Sequence, residues 1–263
     1  MEFSECKFLA VERDRCTVTV WLNRPETRNA FNPDLIAELA KVFSALASDE
    51  KLRVVFLRGR GEVFCAGADM NWMKGSLKLS ATENLEDAKK LSAMLATVNE
   101  FPAPVIGLVQ GVALGGGVGL VSVCDHIVAE SKTVFGLTEV KVGLIPAVVG
   151  PFVISKIGLS QARSLFLSGE RFGAVTALRI GLLHEMVEGE AGLEAAQKKW
   201  VEIFQKAAPG AVRTAKKYLR NWPAPPADIN NRAAELMAQL RTGAEAQAGF
   251  TAFLEKRRPP WAE

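Results

Sequence analysis

From Thr17 to Leu22 (TVTVWL) apolar and polar positions alternate and β-branched residues dominate, so the run reads as a strand, which Asn23-Arg24-Pro25 ends. The period then changes. Asn32-Pro33-Asp34 opens a helix, with Asn32 as cap and Pro33 in the first turn, and Leu35, Leu39, Val42, Phe43 and Leu46 fall on one face. Leu52 to Leu57 (LRVVFL) reads as a second, mostly buried strand. The segment that follows, GRGEVFCAGADMNWMKGS, reads as a loop. Helical register returns from about Glu83 to Glu100, through Leu85, Ala88, Leu91, Leu95 and Val98, until Pro102 and Pro104 stop it.

Pro104 to Val109 reads as a third strand, Gly115-Gly116-Gly117 as a turn, and the residues up to Val123 as a short apolar helix. Ile127 to Ala129 and Thr133 to Phe135 read as short strands. Beyond Pro146 the pattern stays helical to the end, with turns at Gly158, Gly169, Gly181 and Pro223-Ala224-Pro225-Pro226. Strand-strand-helix repetition over the first two thirds, followed by helices, predicts a layered α/β core with a helical C-terminal region.

Composition narrows the class. Hydrophobic residues make up 49% and charged residues 23% of the 263, the balance of a globular chain with a substantial core. A net charge of +3, without a basic run interleaved with aromatics, gives no sign of nucleic acid as the main ligand. Four cysteines without CxxC spacing and two histidines suggest neither a zinc site nor a disulfide scaffold, and reduced thiols fit a cytoplasmic location. The N-terminus has no apolar secretory segment. Phe101 to Cys124 is uncharged and long enough to cross a bilayer, but its six glycines and two prolines favour a buried strand, turn and helix.

The turn ALGGGVGL (113–120) is where chemistry enters. A helix starting near Gly116 presents unpaired N–H donors at its positive end, and glycine lets a ligand approach them, whether an oxyanion or a phosphate. Neither a P-loop nor a dinucleotide fingerprint is present. Close packing of a helix on a strand explains the same glycines. A second small-residue turn, FCAGADM (64–70), also follows a strand, and two such turns supply what a two-donor oxyanion hole needs.

Taken together, NRPETRNAF (23–31), FCAGADM (64–70), VQGVALGGGVGL (109–120), FGLTEVKVGLIP (135–146) and AFLEKR (252–257) resemble the enoyl-CoA hydratase/isomerase family, the crotonases. The resemblance implies a crotonase-like spiral of ββα units over residues 1–195 and a helical trimerisation region over 196–263. It further implies an acyl-CoA thioester as substrate, a homotrimer or dimer of trimers, and no metal or cofactor beyond the CoA of the substrate. By matching position, the backbone N–H groups of Ala68 and Gly116 would be the oxyanion donors. Ala68, Asp69, Met70 and Asn71 would line the CoA, chiefly through backbone, with Arg28 and Ala30 at the other edge of the groove. Phe253 and Lys256 of a neighbouring subunit would cover the nucleotide; for Lys256 a solvated cationic tail is the alternative.

Glu139 matches one of two glutamates that usually share proton transfer in this family; read alone it is an ordinary loop carboxylate, with Lys141 as a candidate ion-pair partner. The position of the other, three residues after Gly116, holds Gly119, and Asp125 does not replace it. A single glutamate also suits a double-bond isomerase, and loss of the second acid suits a protein that binds acyl-CoA without turnover. ADMNWMK, the missing acid and IPAVVGPFVISKIG resemble the bacterial methylglutaconyl-CoA hydratase-like members. On that resemblance Gly119 would leave room for a branched or carboxylated acyl chain. Trp72 and Pro146 are further acyl-pocket candidates, and for Trp72 and Met73 core packing is the alternative to shaping that pocket. His126, His184 and Cys65 show no partner that would make a triad or an activated thiol.

Overall fold

In the computed structural model the described residues are Phe3, 5–220 and 229–262, so the turn expected at Pro223-Ala224-Pro225-Pro226 lies outside them. The chain begins with β1 (Leu9–Asp14), β2 (Thr17–Leu22), α1 (Pro33–Leu46) and β3 (Val54–Gly59). It continues through α2 (Met70–Ser76), α3 (Ala81–Asn99), β4 (Val105–Val109), β5 (Val112–Leu114) and α4 (Gly116–Ser122). β6 (His126–Glu130), β7 (Val134–Gly136), α5 (Gly150–Ser168), β8 (Arg171–Gly173), α6 (Ala174–Arg179) and β9 (Glu185–Val187) complete the core. Helices α7 (Gly189–Lys206), α8 (Pro209–Arg220), α9 (Ile229–Thr242) and α10 (Ala244–Leu254) follow.

Two sheets organise these elements. The larger runs β1-β2-β3-β4-β6-β9, antiparallel only at β1/β2; the smaller runs β5-β7-β8. Side-chain alternation decides what each face of the large sheet meets. Val55 and Leu57 of β3, Val105 and Val109 of β4, and Ile127 and Ala129 of β6 enter the central core with α1 and α3. Val54, Phe56, Ile106, Leu108 and Val128 face the other way, onto Leu193, Ala196, Trp200 and Phe204 of α7. Strands buried on both faces read as continuous apolar runs, and β3 and β4 are buried at every position.

The repeat behind the spiral is visible in the pairing. After β2, β3, β4 and β6 the chain contributes a short second-layer segment and then a helix or 3-10 turn. The second layer runs from Phe31 to Ala68, from Cys65 to Ala113, and from β5 to β7, all parallel. Phe31, 65–68, 112–114 and 134–136 are therefore equivalent places in four successive units, and each is followed by a helix or 3-10 turn.

The structure corrects several expectations. The strand expected at Leu52 begins at Val54, because the register Thr17↔Val54 sets its start and Arg53 N–H instead donates to Cys16 O at 2.7 Å. The expected loop after β3 contains α2, which Asp69 caps by accepting from Asn71 N–H. The last third is not all helix: β8 and β9 are three-residue strands, and β9 forms the edge of the large sheet beside β6. Turns occur at Gly169 and Gly181 as expected, while Gly158, at φ 76° and ψ 158°, is a kink inside α5. Residues 195 and 196, on either side of the expected division, both belong to α7.

The C-terminal helices are tied to the core by polar contacts. Lys216 Nζ donates to Ala103 O at 3.0 Å and to Asp125 at 2.6 Å, and Arg213 donates to Asp49 O and Leu52 O. Glu245 of α10 accepts from Gly210 and Ala211 N–H, both at 2.8 Å, at the start of α8. No helix among the described residues is long and apolar enough to cross a membrane.

Candidate active site

Equivalence of the units relates the candidate residues to one another. Cys65 pairs with Ala113 and Ala113 with Phe135; three residues beyond these lie Ala68, Gly116 and Thr138, the last next to Glu139. The three residues expected to act together thus leave the ends of three adjacent second-layer segments.

Peptide geometry fixes the direction of both N–H groups. In a planar trans peptide the C=O and the following N–H point opposite ways. Gly115 O accepts from Val118 N–H at 3.0 Å and Gly119 N–H at 3.2 Å, inside α4. Gly116 N–H, in the same peptide plane, therefore points out of the helix start, where it has no intrahelical acceptor. Gly67 O accepts from Phe31 N–H at 2.7 Å, so Ala68 N–H points away from Phe31, toward the unit that carries Gly115. Neither amide has a main-chain acceptor among the described residues.

The glycine turn meets two structural needs, at different residues. Gly115 has φ 50° and ψ −116°, a conformation side chains disfavour, and donates to Gly136 O at 2.8 Å. Gly116 and Gly117 are glycine for space: a Cβ would come within 2.7 Å of the Phe31 ring and of Cys65 O, respectively. The two turns also touch, since a Cβ on Gly67 would lie 3.2 Å from Leu114 O.

Glu139 opens a 3-10 turn shortly after β7. Its Oε1 lies 3.3 Å from where a Cβ on Gly115 would be, and its Oε2 is buried without a hydrogen-bond partner among the described residues. Burial raises its carboxyl above the usual glutamate range, and its own backbone N–H offsets part of that rise. Lys141 pairs with Glu170 at 2.9 Å, so the ion pair considered for Glu139 does not form.

The groove residues cluster around the Ala68 turn. Arg28 is exposed with left-handed φ, its carbonyl accepting from Ala66 N–H at 3.0 Å. Ala30 is buried. Asp69 is buried and turned inward: Oδ2 accepts from Arg24 at 3.0 Å and Oδ1 from Asn71 N–H at 2.8 Å. Burial pushes its carboxyl up, but the Asn71 and Arg24 hydrogen bonds outweigh this and leave it below the usual range. Only the backbone of Asp69 is therefore available to a ligand, while Met70 and Asn71 are exposed.

Other candidates separate from this cluster. Trp72 donates to Asp87 at 2.6 Å and, with Asp69 and Asn71, borders a cleft of about 650 Å³ between α1, α2 and α3 that neither Gly119 nor Pro146 lines. Pro146 is buried; Met73 is exposed. Gly119 offers no acyl space, which corrects the expectation: a Cβ there would lie 2.3 Å from Val149 Cγ1, so the isopropyl group of buried Val149 already fills the room. Phe253 near the end of α10 and Lys256 just beyond it are exposed, and no described contact brings them to the turns of their own chain. Cys65 is fully buried, and burial pushes its thiol up to about 12, which keeps it unreactive. His126 and His184 stack on each other at 4.7 Å beside Trp200, away from this cluster. Asp125 accepts from Val105 N–H and Lys216, a structural role.

Sequence reasoning gave Arg24 no role of its own, although it lies in the strand break and in the NRPETRNAF stretch. No local pattern marks it, because its carboxylate partner lies in another unit.

Comparisons with known proteins agree with this architecture. The sequence profile described as enoyl-CoA hydratase/isomerase matches residues 12–263. The chain is 33% identical over 256 residues to the 2,3-dehydroadipyl-CoA hydratase of Escherichia coli K12, covering 95% of this chain and 97% of that protein. It is 33% identical over 210 residues to the human mitochondrial methylglutaconyl-CoA hydratase, covering 78% of this chain and 61% of that protein. The structure of Pseudomonas aeruginosa AtuE superposes with a TM-score of 0.95 at 34% identity, covering 98% of this chain and 100% of that one. The chain belongs to the enoyl-CoA hydratase/isomerase family, and its fold is the crotonase fold. It is an enzyme of that family.

Proposed function

We propose that the protein hydrates a 2-enoyl-CoA thioester, or dehydrates the corresponding 3-hydroxyacyl-CoA, with Glu139 as the one carboxylate that moves protons. The observation that carries this reading is the buried, unpartnered Glu139 oxygen against the Gly115 turn, beside an outward-facing Gly116 N–H. Ala68 and Gly116 N–H donate to the thioester oxygen. Glu139 takes a proton from water as the water oxygen bonds to the β-carbon; the π electrons move onto the thioester as an enolate, which the two amides stabilise. Glu139 then returns the proton to the α-carbon, and the carboxylate is regenerated.

The CoA lies along Arg28, Ala30 and the backbone of 68–71, with Phe253 and Lys256 of a neighbouring subunit over the nucleotide in a trimer or dimer of trimers built through 196–263. No cofactor beyond that CoA takes part. A carboxylated acyl chain, such as 3-methylglutaconyl-CoA, is favoured by the named activities of two relatives, both hydratases of carboxylated enoyl-CoA thioesters. Gly119 no longer supports it, because Val149 occupies that space.

A double-bond isomerase is the second reading, favoured by a further observation: position 119 carries no acid, and a lone carboxylate can shuttle one proton between two carbons. Incubation with crotonyl-CoA, 3-methylglutaconyl-CoA and a 3-enoyl-CoA separates the readings. Loss of enoyl absorbance from either of the first two supports hydration, and its gain from the third supports isomerisation. Binding without either change leaves a protein that holds acyl-CoA and does not turn it over.

A further inference from the structure

The two amides differ in what secures them. Gly116 N–H is fixed by the hydrogen bonds of α4. Ala68 sits in a turn with no such ladder, bracketed by two backbone bonds to Phe31, Phe31 N–H to Gly67 O at 2.7 Å and Asp69 N–H to Phe31 O at 2.8 Å. The direction of Ala68 N–H therefore depends on how residues 30–31 and 69 are held relative to each other.

One guanidinium holds both. Arg24 Nη1 donates to Ala30 O at 2.6 Å, immediately before Phe31, and Nη2 donates to Asp69 Oδ2 at 3.0 Å, immediately after Ala68. The side chains of Arg24 and Asp69 are 9% and 8% exposed. Arg24 Nε–H is buried without an acceptor among the described residues, and the guanidinium lies 5.0 Å from the Phe8 ring centroid. A buried pair with one donor unsatisfied is a weak source of stability, since apolar groups of similar volume often do as well or better. What an apolar pair cannot do is hold two separate backbone segments at fixed distances through a planar fork.

We infer that Arg24 is a positioning residue for the reaction: through Ala30 and Asp69 it sets the direction of the Ala68 N–H. The inference rests on the proposed role of Ala68 and Gly116 as oxyanion donors. Arg24 touches no reacting atom and acts only through its neighbours. Lysine, a point donor without the fork, cannot make both contacts in the same geometry.

The test compares Arg24→Lys, Ala68→Pro and the double variant, with crotonyl-CoA as substrate. Arg24→Lys lowers kcat roughly 10- to 100-fold, part of the about 10²–10³-fold loss that removal of one oxyanion donor causes, with KM changed only a few fold. In the Ala68→Pro background, where that N–H is absent, Arg24→Lys adds little, because two changes acting through one group are not additive. The bound thioester C=O stretch also moves toward its solution frequency in Arg24→Lys. Arg24→Met with Asp69→Asn removes both buried charges and keeps an oxygen at the α2 cap; it recovers thermal stability without recovering kcat. Wild-type kcat in Arg24→Lys, full additivity with Ala68→Pro, or kcat returning in step with stability overturns the inference. Wild-type kcat in Ala68→Pro instead overturns the oxyanion reading on which it rests.

Discussion

The turns at Gly116 and Ala68 occupy equivalent positions in adjacent units, yet the chain secures them by different means. At Gly116 the backbone suffices: Gly115 adopts a left-handed φ, α4 absorbs its carbonyl, and Gly136 accepts its N–H. At Ala68 the following helix, α2, is as short as α4 but buries no residue where α4 buries six, and the polar contacts beside the turn come from the Arg24 side chain of a distant loop. One donor is therefore sensitive to backbone and packing changes, and the other to the Arg24–Asp69 pair.

The largest expected effect removes what both donors serve. Glu139→Gln keeps both amides in place but cannot accept a proton, and turnover falls about 10²–10⁴-fold while the Kd for a CoA thioester stays within a few fold. Steady-state kinetics and a binding titration check this; near-normal turnover would remove Glu139 from the mechanism. Ala68→Pro and Gly116→Pro each delete one N–H and lower kcat about 10²–10³-fold. They differ in stability, since any Cβ at 116 meets the Phe31 ring at 2.7 Å. Thermal unfolding is thus expected to separate two variants with similar kinetic losses.

A packing change sharpens the contrast. Gly119→Ala drives a methyl into Val149 Cγ1, 2.3 Å away, and costs about 1–3 kcal/mol as overpacking in a filled core. Val149→Ala in the same chain relieves most of that cost. Denaturant unfolding of the two variants checks the pair, and equal stability with and without Val149→Ala would show that the space at 119 is open after all.

The smallest effects are set by pH. Because burial raises the Glu139 carboxyl, the acid limb of kcat/KM lies above the ordinary glutamate value of 4.5. Stability on the acid side responds to a different place. Burial lowers His126 from 6.5 to about 4, with the neighbouring His184 adding to the shift, Lys199 and Lys156 reinforcing it and Glu185 opposing it. The unfolded chain binds this proton first, so the contribution of neutral His126 is intact above pH 6.5 and is lost as pH falls from 6.5 toward 4. His126→Phe should flatten the acid side of the stability profile and leave the kinetic limb where it was. A kinetic limb that moves with His126 would mean that the two regions are coupled.

Legibility in the sequence followed length and locality. The strand at Thr17–Leu22, the capped α1, the long α3 and the glycine turn were all readable, because each carries its periodicity or cap within its own segment. β8 and β9 span three residues each, too few for alternation to register, and β1 ends in the exposed Glu12-Arg13-Asp14 of an edge strand. The residues of the site were readable only through their joint resemblance to a family. Their neighbours were not: the Val149 that fills the space at Gly119 and the Arg24 that grips Asp69 lie far away along the chain and meet them only once the units stack.

The most direct test of the oxyanion site is a crystal structure of the Glu139→Gln variant with crotonyl-CoA bound. The thioester oxygen is expected about 2.7–3.1 Å from both Ala68 N and Gly116 N, with the carboxamide of the substituted side chain beside the double bond. A thioester oxygen bound elsewhere, or either amide donating to its own main chain in that complex, would contradict it.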